Sequence, residues 1–343
     1  MVDVVPTIDL SPWWRGDDDA RAAVAAAVDD ACREIGFLKI AGHGLRPSLV
    51  ERMLTVTSAF FDLPEEEKRR YAPPTPSINR GYACQGSEAL SYSLGVAGAA
   101  DLFEAFNMGV DRWPRGDAYY EAERDRLFAP NIWPDHPPVV RDVWTEYFDA
   151  MQELADWLME IFAMALDLPE GFFTDRCGRA PDVMRANNYE RRPGQAAPRP
   201  GQMRMGAHSD YGACTILLCD PVPGLQIVGP DGAWHDVLPE PGTLVVNLGD
   251  LLAEWTTDRW RSTVHRVVPP PPEAEGPVRR RSIAFFHEVD HDVVVSCLPT
   301  CTSPANPPKY EPVTAGQHLL AKLMGPRTLT PSSAMSTLAG RRV

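Results

Sequence analysis

The sequence predicts an α+β fold, with helices in the N-terminal part of the chain and short antiparallel strands in the C-terminal part. The composition, 44% hydrophobic and 23% charged over 343 residues, is that of a globular chain with ample material for a core. Residues 139–168 repeat apolar side chains at helical spacing. From about residue 182 this pattern gives way to short β-rich runs separated by turn residues, which is typical of an antiparallel sandwich, barrel or jelly roll.

Caps and breakers predict the N-terminal elements. Asp17, Asp18 and Asp19 can cap the Ala-rich amphipathic run that follows them, and Gly36 ends that run. Pro64 opens a run with three Glu residues at its start, where the helix dipole favours acidic side chains. These signals predict a helix over 20–35, a strand over 36–40, a helix over 48–61, a helix from Pro64, and loops with short elements over 73–138.

The second half of the chain changes from one long helix to many short strands. The apolar stripe of the helix predicted over 139–168 indicates a buried scaffold helix and consists of Val143, Tyr147, Met151, Leu154, Leu158, Ile161 and Ala165. Strands with no helices between them are predicted over 183–189, 215–219, 225–228, 243–248, 265–268, 282–286 and 293–297.

Charge and cysteine content limit the partners and the compartment. Thirty-three basic against 47 acidic residues give a net charge of −14, which argues against nucleic acid or an anionic membrane as a partner. The seven cysteines are scattered without a CxxC pair, so neither a disulfide framework nor a zinc knuckle is predicted. The sequence shows no signal-peptide pattern and no apolar stretch long enough to span a bilayer. We therefore expect a monomeric, cytoplasmic protein that acts on a small molecule.

A candidate metal site lies in two segments of the β-rich half. His208 and Asp210 are two residues apart, so both side chains point to the same side of an extended segment. His265 could join them from a neighbouring strand. Two imidazoles and one carboxylate leave three octahedral positions open, which suits non-haem Fe(II) that binds a cosubstrate and O2 together. The HxD pair alone is a weak signal, and the surrounding sequence gives it weight.

A candidate anion site lies on a later strand. Arg280 and Ser282 are again two residues apart, and a guanidinium beside a hydroxyl can hold a carboxylate through both charge and geometry. Arg185, Asn187 and Tyr189 alternate in the same way and present a cation, an amide and a phenol to one side. Each of these residues, taken singly, could instead be a polar residue at a barrel rim that bonds to backbone.

Motifs along nearly the whole chain carry a resemblance to a known family. The chain resembles the isopenicillin N synthase-like branch of the Fe(II)/2-oxoglutarate dioxygenases, which includes plant flavonoid and hormone oxygenases and the bacterial ethylene-forming enzyme. The segments that carry it are VPTIDL at 5–10, EIGFL at 34–38, HG at 43–44, FFDLPEEEK at 60–68, HSD at 208–210, GLQI at 224–227, NLGD at 247–250, STVHRV at 262–267 and RRS at 280–282.

The resemblance implies a double-stranded β-helix, or jelly-roll, core flanked by helices. It implies that His208, Asp210 and His265 bind Fe(II), with no catalytic residue separate from these ligands. The implied activity is oxidation, foremost hydroxylation, of a small organic molecule of secondary metabolism by O2, with release of succinate and CO2 from 2-oxoglutarate. The segments expected on this basis are an N-terminal non-haem dioxygenase region over 4–135, the scaffold helix over 139–168, the jelly-roll core over 180–298 and a C-terminal extension over 299–343.

The resemblance also implies a binding site for 2-oxoglutarate. Arg280 and Ser282 match the motif that holds its distal carboxylate. Asn187 and Tyr189 match positions that approach its oxoacid end, although Glu190 follows the tyrosine where the family usually has proline.

Three other functions stay open on the sequence. The first is an oxidase or cyclase that uses iron and O2 without 2-oxoglutarate, in which Arg280 and Ser282 would hold the substrate's own carboxylate. The second is an ethylene-forming fragmentation of 2-oxoglutarate. The third is a zinc metallopeptidase, because residues 287–291 spell HExxH and Glu311 lies at a plausible distance for a third ligand. That motif needs a helix, whereas its flanks have strand composition, so His287 is expected to be a structural residue that points away from the pocket.

The substrate pocket is expected to have an aromatic wall with one or two cations. Tyr82, Arg185 and Phe286 are the candidates for this wall, by family position and strand face. Such a wall would suit a mid-sized, partly apolar molecule with an acidic or polar end. The alternative is that Arg80 and Arg185 pair with carboxylates of this acidic chain.

Overall fold

The computed structural model describes residues 4–96, 98–190, 198–238, 240–270 and 279–328. The long helices begin and end within a few residues of the predicted positions. Asp17 caps the second helix and accepts a hydrogen bond from the backbone N–H of Ala20 at 3.1 Å. In the described ranges the helices are α1 (Ser11–Arg15), α2 (Asp18–Glu34), α3 (Pro47–Phe61), α4 (Glu65–Arg69), α5 (Ala118–Ala122), α6 (Val140–Ala165), α7 (Asp250–Trp255) and α8 (Ala315–Thr328).

The strands of the second half follow the predicted β-rich runs, and further short strands lie outside them. The strands are β1 (Thr7–Asp9), β2 (Phe37–Ala41), β3 (Gly81–Ala83), β4 (Glu104–Gly109), β5 (Val183–Tyr189), β6 (Met205–His208), β7 (Cys214–Cys219), β8 (Leu225–Val228), β9 (Trp234–Asp236), β10 (Leu244–Leu248), β11 (His265–Val267), β12 (Arg280–His287), β13 (Val294–Val295) and β14 (Val313–Thr314).

Two facing sheets form the jelly-roll core. The larger has eight strands in the order β1-β2-β10-β7-β12-β5-β4-β3, and the smaller has four in the order β6-β11-β8-β9. All these pairs are antiparallel except β1 with β2. An apolar cluster that includes Phe37, Tyr189, Ile227 and Val267 packs between the sheets. The sheets therefore enclose the space in which a site can form.

Helix α6 supports the outer face of the larger sheet. It contacts α2, α3 and β12, and Phe148 meets Phe285 edge-on with ring centroids 5.2 Å apart. The predicted apolar stripe is buried along the helix, apart from the half-buried Ala165. This agrees with the expected role as a scaffold helix.

Two features differ from the sequence predictions. The short helix α7 lies between β10 and β11, where no helix was expected, because six residues are too few to show a helical period. The buried strand β4 crosses a region that was expected to hold loops with short elements. Its polar residues Glu104 and Asn107 are buried with hydrogen-bond partners, so its sequence lacks a plain apolar pattern.

The C-terminal extension expected over 299–343 is described as far as residue 328. It contributes β14 and α8, and residues 329–343 lie outside the described part. None of the helices in the described ranges has the length and apolar character that a bilayer crossing requires.

Candidate active site

The smaller sheet brings the three predicted metal ligands together. His208 ends β6, and His265 begins β11 directly opposite it in the antiparallel pairing. Asp210 follows two residues after His208. Its Oδ1 lies 3.9 Å from His208 Nε2 and 3.8 Å from His265 Nε2. All three side chains are buried, and one ligand atom from each lies within 4.8 Å of the others, a spacing that suits a shared metal ion.

Neighbouring groups orient each of these side chains. His208 Nδ1 lies 2.8 Å from the carbonyl oxygen of Gly206, and His265 Nδ1 lies 3.1 Å from that of Thr263. A carbonyl oxygen can only accept, so each Nδ1 carries the proton and each Nε2 keeps its lone pair for a metal. This leaves the two Nε2 atoms facing Asp210 as acceptors.

Asp210 is fixed from its other side by two donors. Its Oδ2 accepts hydrogen bonds from Thr215 Oγ1 at 2.5 Å and from Asn247 Nδ2 at 2.7 Å. Oδ1, which faces the imidazoles, is left for a metal. Burial, and after it the neighbouring His265, lowers the pKa of His208 to about 4, so this imidazole is neutral at pH 7 as a metal ligand must be.

The predicted anion site lies on β12, in the middle of the larger sheet. Arg280 is only 1% exposed, and its Nη2 lies 3.3 Å from Cys219 Sγ. Its Nε and Nη1 have no hydrogen-bond partner among the described residues. Unused donors on a buried guanidinium are costly, and a carboxylate would satisfy them. Arg280 faces Tyr189 on β5, and Ser282 faces Asn187, so the register places the four predicted 2-oxoglutarate residues side by side.

One cavity connects the two predicted sites. Alternate residues of β5 and β12 face it, and the same cavity is lined by the three predicted metal ligands. The predicted site residues on these two strands that line the cavity are Arg185, Asn187, Tyr189, Arg280, Ser282 and Phe286. A ligand held by Arg280 can thus extend towards the three ligand atoms.

Comparison with known proteins identifies the family. Residues 5–136 match the N-terminal region of the non-haem dioxygenases described for morphine synthesis, and residues 181–289 match the 2OG-Fe(II) oxygenase superfamily. The chain is 36% identical over 295 residues to validamycin A dioxygenase of Streptomyces hygroscopicus subsp. limoneus, which covers 84% of this chain and 78% of that protein. The chain belongs to the Fe(II)/2-oxoglutarate-dependent dioxygenases.

Further relatives and solved structures agree with this. The dioxygenase is 31% identical to homoarginine-6-hydroxylase 2-ODD-233 of Oryza sativa subsp. japonica, over 93% of this chain and 96% of that one. Its fold matches Neurospora crassa T7H in complex with alpha-KG and thymine with a TM-score of 0.80 at 29% identity, covering 94% of this chain and 97% of that one. It matches a 2OG-Fe(II) oxygenase family protein from Caulobacter crescentus equally well, with a TM-score of 0.80 at 29% identity and coverage of 94% and 99%.

The cofactors of the dioxygenase are therefore Fe(II), 2-oxoglutarate and O2. The side chains present fit them. The three ligand atoms form the set of two imidazoles and one carboxylate that non-haem Fe(II) prefers. The unpartnered Nε and Nη1 of Arg280 fit a carboxylate of 2-oxoglutarate.

The structure places Tyr82 away from this cavity. Tyr82 lies on β3 at the far end of the larger sheet, and its hydroxyl donates to Glu104 Oε2 at 2.6 Å. Lys68 Nζ bonds to the same oxygen. Tyr82 is thus part of a buried polar network rather than of the predicted pocket wall. The prediction rested on family position and strand face, and neither shows which partner the side chain of an edge strand takes in the assembled sheet.

The HExxH segment does not form a zinc site. His287 ends β12, and its Nδ1 lies 3.2 Å from Asp182 Oδ1, while His291 stacks on Tyr119 with ring centroids 4.0 Å apart. A strand followed by a turn cannot present both imidazoles on one helical face. The peptidase alternative was therefore wrong, and His287 is structural, as expected.

Several cavity residues were not identified from the sequence. Glu288 continues the alternation of β12 through positions 280, 282, 284 and 286, so strand periodicity could have found it. Thr215 and Asn247 lie in runs whose strands were predicted, but their contact with Asp210 depends on sheet register. Glu88 and the α8 residues Leu319 and Leu323 come from distant parts of the chain, and no local signal points to them.

Proposed function

We propose that this dioxygenase hydroxylates a small organic molecule held in the cavity beside the predicted iron ligands. His208, Asp210 and His265 bind Fe(II). The observation that carries this assignment is the pair of Nδ1 contacts to backbone carbonyls together with the two donors on Asp210 Oδ2, because they leave one free ligand atom on each side chain. Unligated histidines of a core would have no need of such an arrangement.

Arg280 and Ser282 bind the distal carboxylate of 2-oxoglutarate in this proposal. Support comes from the burial of Arg280 in the cavity wall and from its two donors that have no partner among the described residues. Asn187 and Tyr189 lie on the paired strand and approach the rest of the molecule. When bound, the iron couples oxidative decarboxylation of 2-oxoglutarate by O2 to oxidation of the substrate. The residues of the chain hold the reactants and keep water out of the cavity.

Hydroxylation is the proposed outcome for the substrate. Two relatives have names that specify it: homoarginine-6-hydroxylase, described above, and the proline hydroxylase buaE of Petromyces alliaceus, 34% identical over 306 residues. Phe286 and Arg185 line the cavity and are proposed to form part of the substrate wall.

We further propose that the dioxygenase is a cytoplasmic monomer of secondary metabolism within the isopenicillin N synthase-like branch. The net charge of −14 supports a role without nucleic-acid or anionic-membrane partners. The segment division at 4–135, 139–168, 180–298 and 299–343 is part of the same proposal.

Iron stoichiometry tests the ligand assignment. His208→Ala, Asp210→Ala and His265→Ala should each reduce bound Fe(II) well below one equivalent in anaerobic equilibrium dialysis, with the circular dichroism of the folded chain retained. The matched control is His235→Ala, because His235 pairs with Asp231 near the surface. Full iron stoichiometry in the His265 variant, or equal loss in the His235 variant, would refute the assignment.

A further inference from the structure

Arg185, the cation predicted to line the substrate pocket, already has a carboxylate partner. Arg185 Nη2 lies 2.9 Å from Glu88 Oε2, and Arg185 Nε donates to Asn187 Oδ1 at 3.0 Å. Both charged side chains of this pair are buried in the cavity wall. The Arg185 guanidinium is therefore neutralised before any substrate enters.

Arg80 and Arg126, which also line the cavity, have hydrogen-bond or ion-pair partners as well. Arg80 is buried and donates to three backbone carbonyls, those of Asn79, Leu127 and Ala129. Arg126 is half exposed at the cavity edge and pairs with Glu123 at 2.6 Å. With Arg280 assigned to 2-oxoglutarate, none of these guanidiniums supplies an open partner for an anionic substrate.

Glu288 is different, because no residue in the described ranges donates a hydrogen bond to its carboxylate. It is 6% exposed and lines the cavity directly after β12. Its backbone N–H donates to Asp182 Oδ1 at 2.9 Å, which fixes the main chain at this point. A Cβ added at Gly212 would lie 2.2 Å from Glu288 Oε2, so the carboxylate rests against the backbone two residues after Asp210.

A buried carboxylate without a donor is costly, and this one has like charges nearby. Burial, with a further contribution from Asp182 and against an opposing one from His287, raises the pKa of Glu288 to about 8, so the side chain is a neutral acid in the empty cavity at pH 7. The formal charges of Fe(II), Asp210, 2-oxoglutarate and Arg280 sum to zero. Ionised Glu288 would add a negative charge to this balanced group, and a bound cation would neutralise that charge and so favour the ionised form. A cationic N–H donor would satisfy both its hydrogen-bonding capacity and its charge.

We propose that Glu288 is a specificity-determining residue that binds an ammonium or guanidinium group of the substrate, so that the dioxygenase acts on small organic cations. This inference rests on the proposed function, since it takes the iron and 2-oxoglutarate sites as assigned. The expected substrate had an acidic or polar end, and this inference replaces the acidic alternative, because that alternative needed an unpaired Arg185.

Matched pairs of compounds test the proposal by binding rather than by turnover. The probes are butylguanidine with its neutral isostere butylurea, and cyclohexylamine with cyclohexanol. Each is titrated anaerobically into protein loaded with Fe(II) and 2-oxoglutarate, by calorimetry and by the change in the visible band of the chelate. The variants are Glu288→Gln, which keeps the shape, and Glu288→Asp, which keeps the charge. Glu254→Gln is the control, because Glu254 is buried beside His318 and lies outside the cavity lining.

The expected result is that the cationic member of a pair binds about 10- to 100-fold more tightly to the wild type, as a charge-assisted contact predicts. Glu288→Gln should abolish this preference, whereas Glu288→Asp and Glu254→Gln should retain it. The proposal is overturned if neutral members bind as tightly as cations, if the preference survives in Glu288→Gln, or if no cation binds to loaded protein. If Glu288→Gln does not fold, the wild-type comparison within each pair decides alone. Failure of the chelate band to form would instead count against the proposed function.

Discussion

Asp210 illustrates how single residues prepare the proposed iron site. Thr215 and Asn247 both donate to its Oδ2 and hold its Oδ1 towards the imidazoles. Thr215→Val removes one donor and keeps the shape of the side chain. We expect Fe(II) to bind about 10-fold more weakly in this variant, because partners that orient a ligand typically contribute that much to metal affinity. Anaerobic competition with a chromophoric chelator measures the change.

The control for this variant is another buried threonine. Thr57 lies on α3, and its hydroxyl lies 3.9 Å from Met53 Sδ, away from the cavity. Thr57→Val should leave iron affinity unchanged. Unchanged affinity in Thr215→Val would show that Thr215 does not orient Asp210.

Residues two apart on one strand are the part of the site that sequence predicts well. Arg280 with Ser282, and Asn187 with Tyr189, face the cavity because strand alternation is local and regular. The pairing of Arg185 with Glu88 joins residues far apart in the chain, so neither composition nor periodicity could show it. The unpartnered state of Glu288 is likewise visible only when all its neighbours are in place.

Helix α8 lines one side of the cavity and is anchored to the loop that carries Asp210, a proposed iron ligand. Lys322 forms a buried ion pair with Asp250, which also accepts hydrogen bonds from Ser209 at 3.1 Å and Ser262 at 2.6 Å. The backbone N–H of Asp250 donates to the carbonyl oxygen of Asp210 at 2.8 Å. The helix that supplies Leu319 and Leu323 to the cavity is thus tied to the segment of a proposed iron ligand.

Lys322→Met should loosen this element. It leaves the buried Asp250 carboxylate without its cation, and breaking such a pair costs about 3–5 kcal/mol of unfolding free energy. We expect a lower unfolding temperature and faster amide exchange in 315–328. Lys309→Met is the control, because Lys309 pairs with Asp258 at the exposed surface, where an ion pair contributes about 0–1 kcal/mol. Equal exchange in α8 of the two variants would contradict the anchoring role.

At the scale of elements, the long helices and the strands of the core were predictable, and short elements were not. α2, α3 and α6 have caps, breakers or a long apolar stripe, so their signals accumulate over many residues. α7 has six residues and β4 carries buried polar side chains, so their formation depends on tertiary partners.

The molecule as a whole combines two sources of predictability. The order of the strands within the two sheets cannot be derived from strand lengths alone. The family motifs, by contrast, imply the fold of the entire chain. The cavity forms between the sheets and draws its wall from β5, β7, β10, β11, β12 and α8. Its electrostatic character therefore follows from the assembled fold rather than from the net charge of −14.

The most direct test of this account joins the proposed iron and 2-oxoglutarate sites in one measurement. Fe(II) and then 2-oxoglutarate are added anaerobically to metal-free protein, and the weak visible metal-to-ligand charge-transfer band of the chelate is recorded. The account predicts that the band forms in the wild type. In Arg280→Ala it should require about 10- to 100-fold more 2-oxoglutarate, with iron binding unchanged, because a buried charge-assisted contact is lost. Iron binding without a band in the wild type, or an unchanged 2-oxoglutarate requirement in Arg280→Ala, would contradict it.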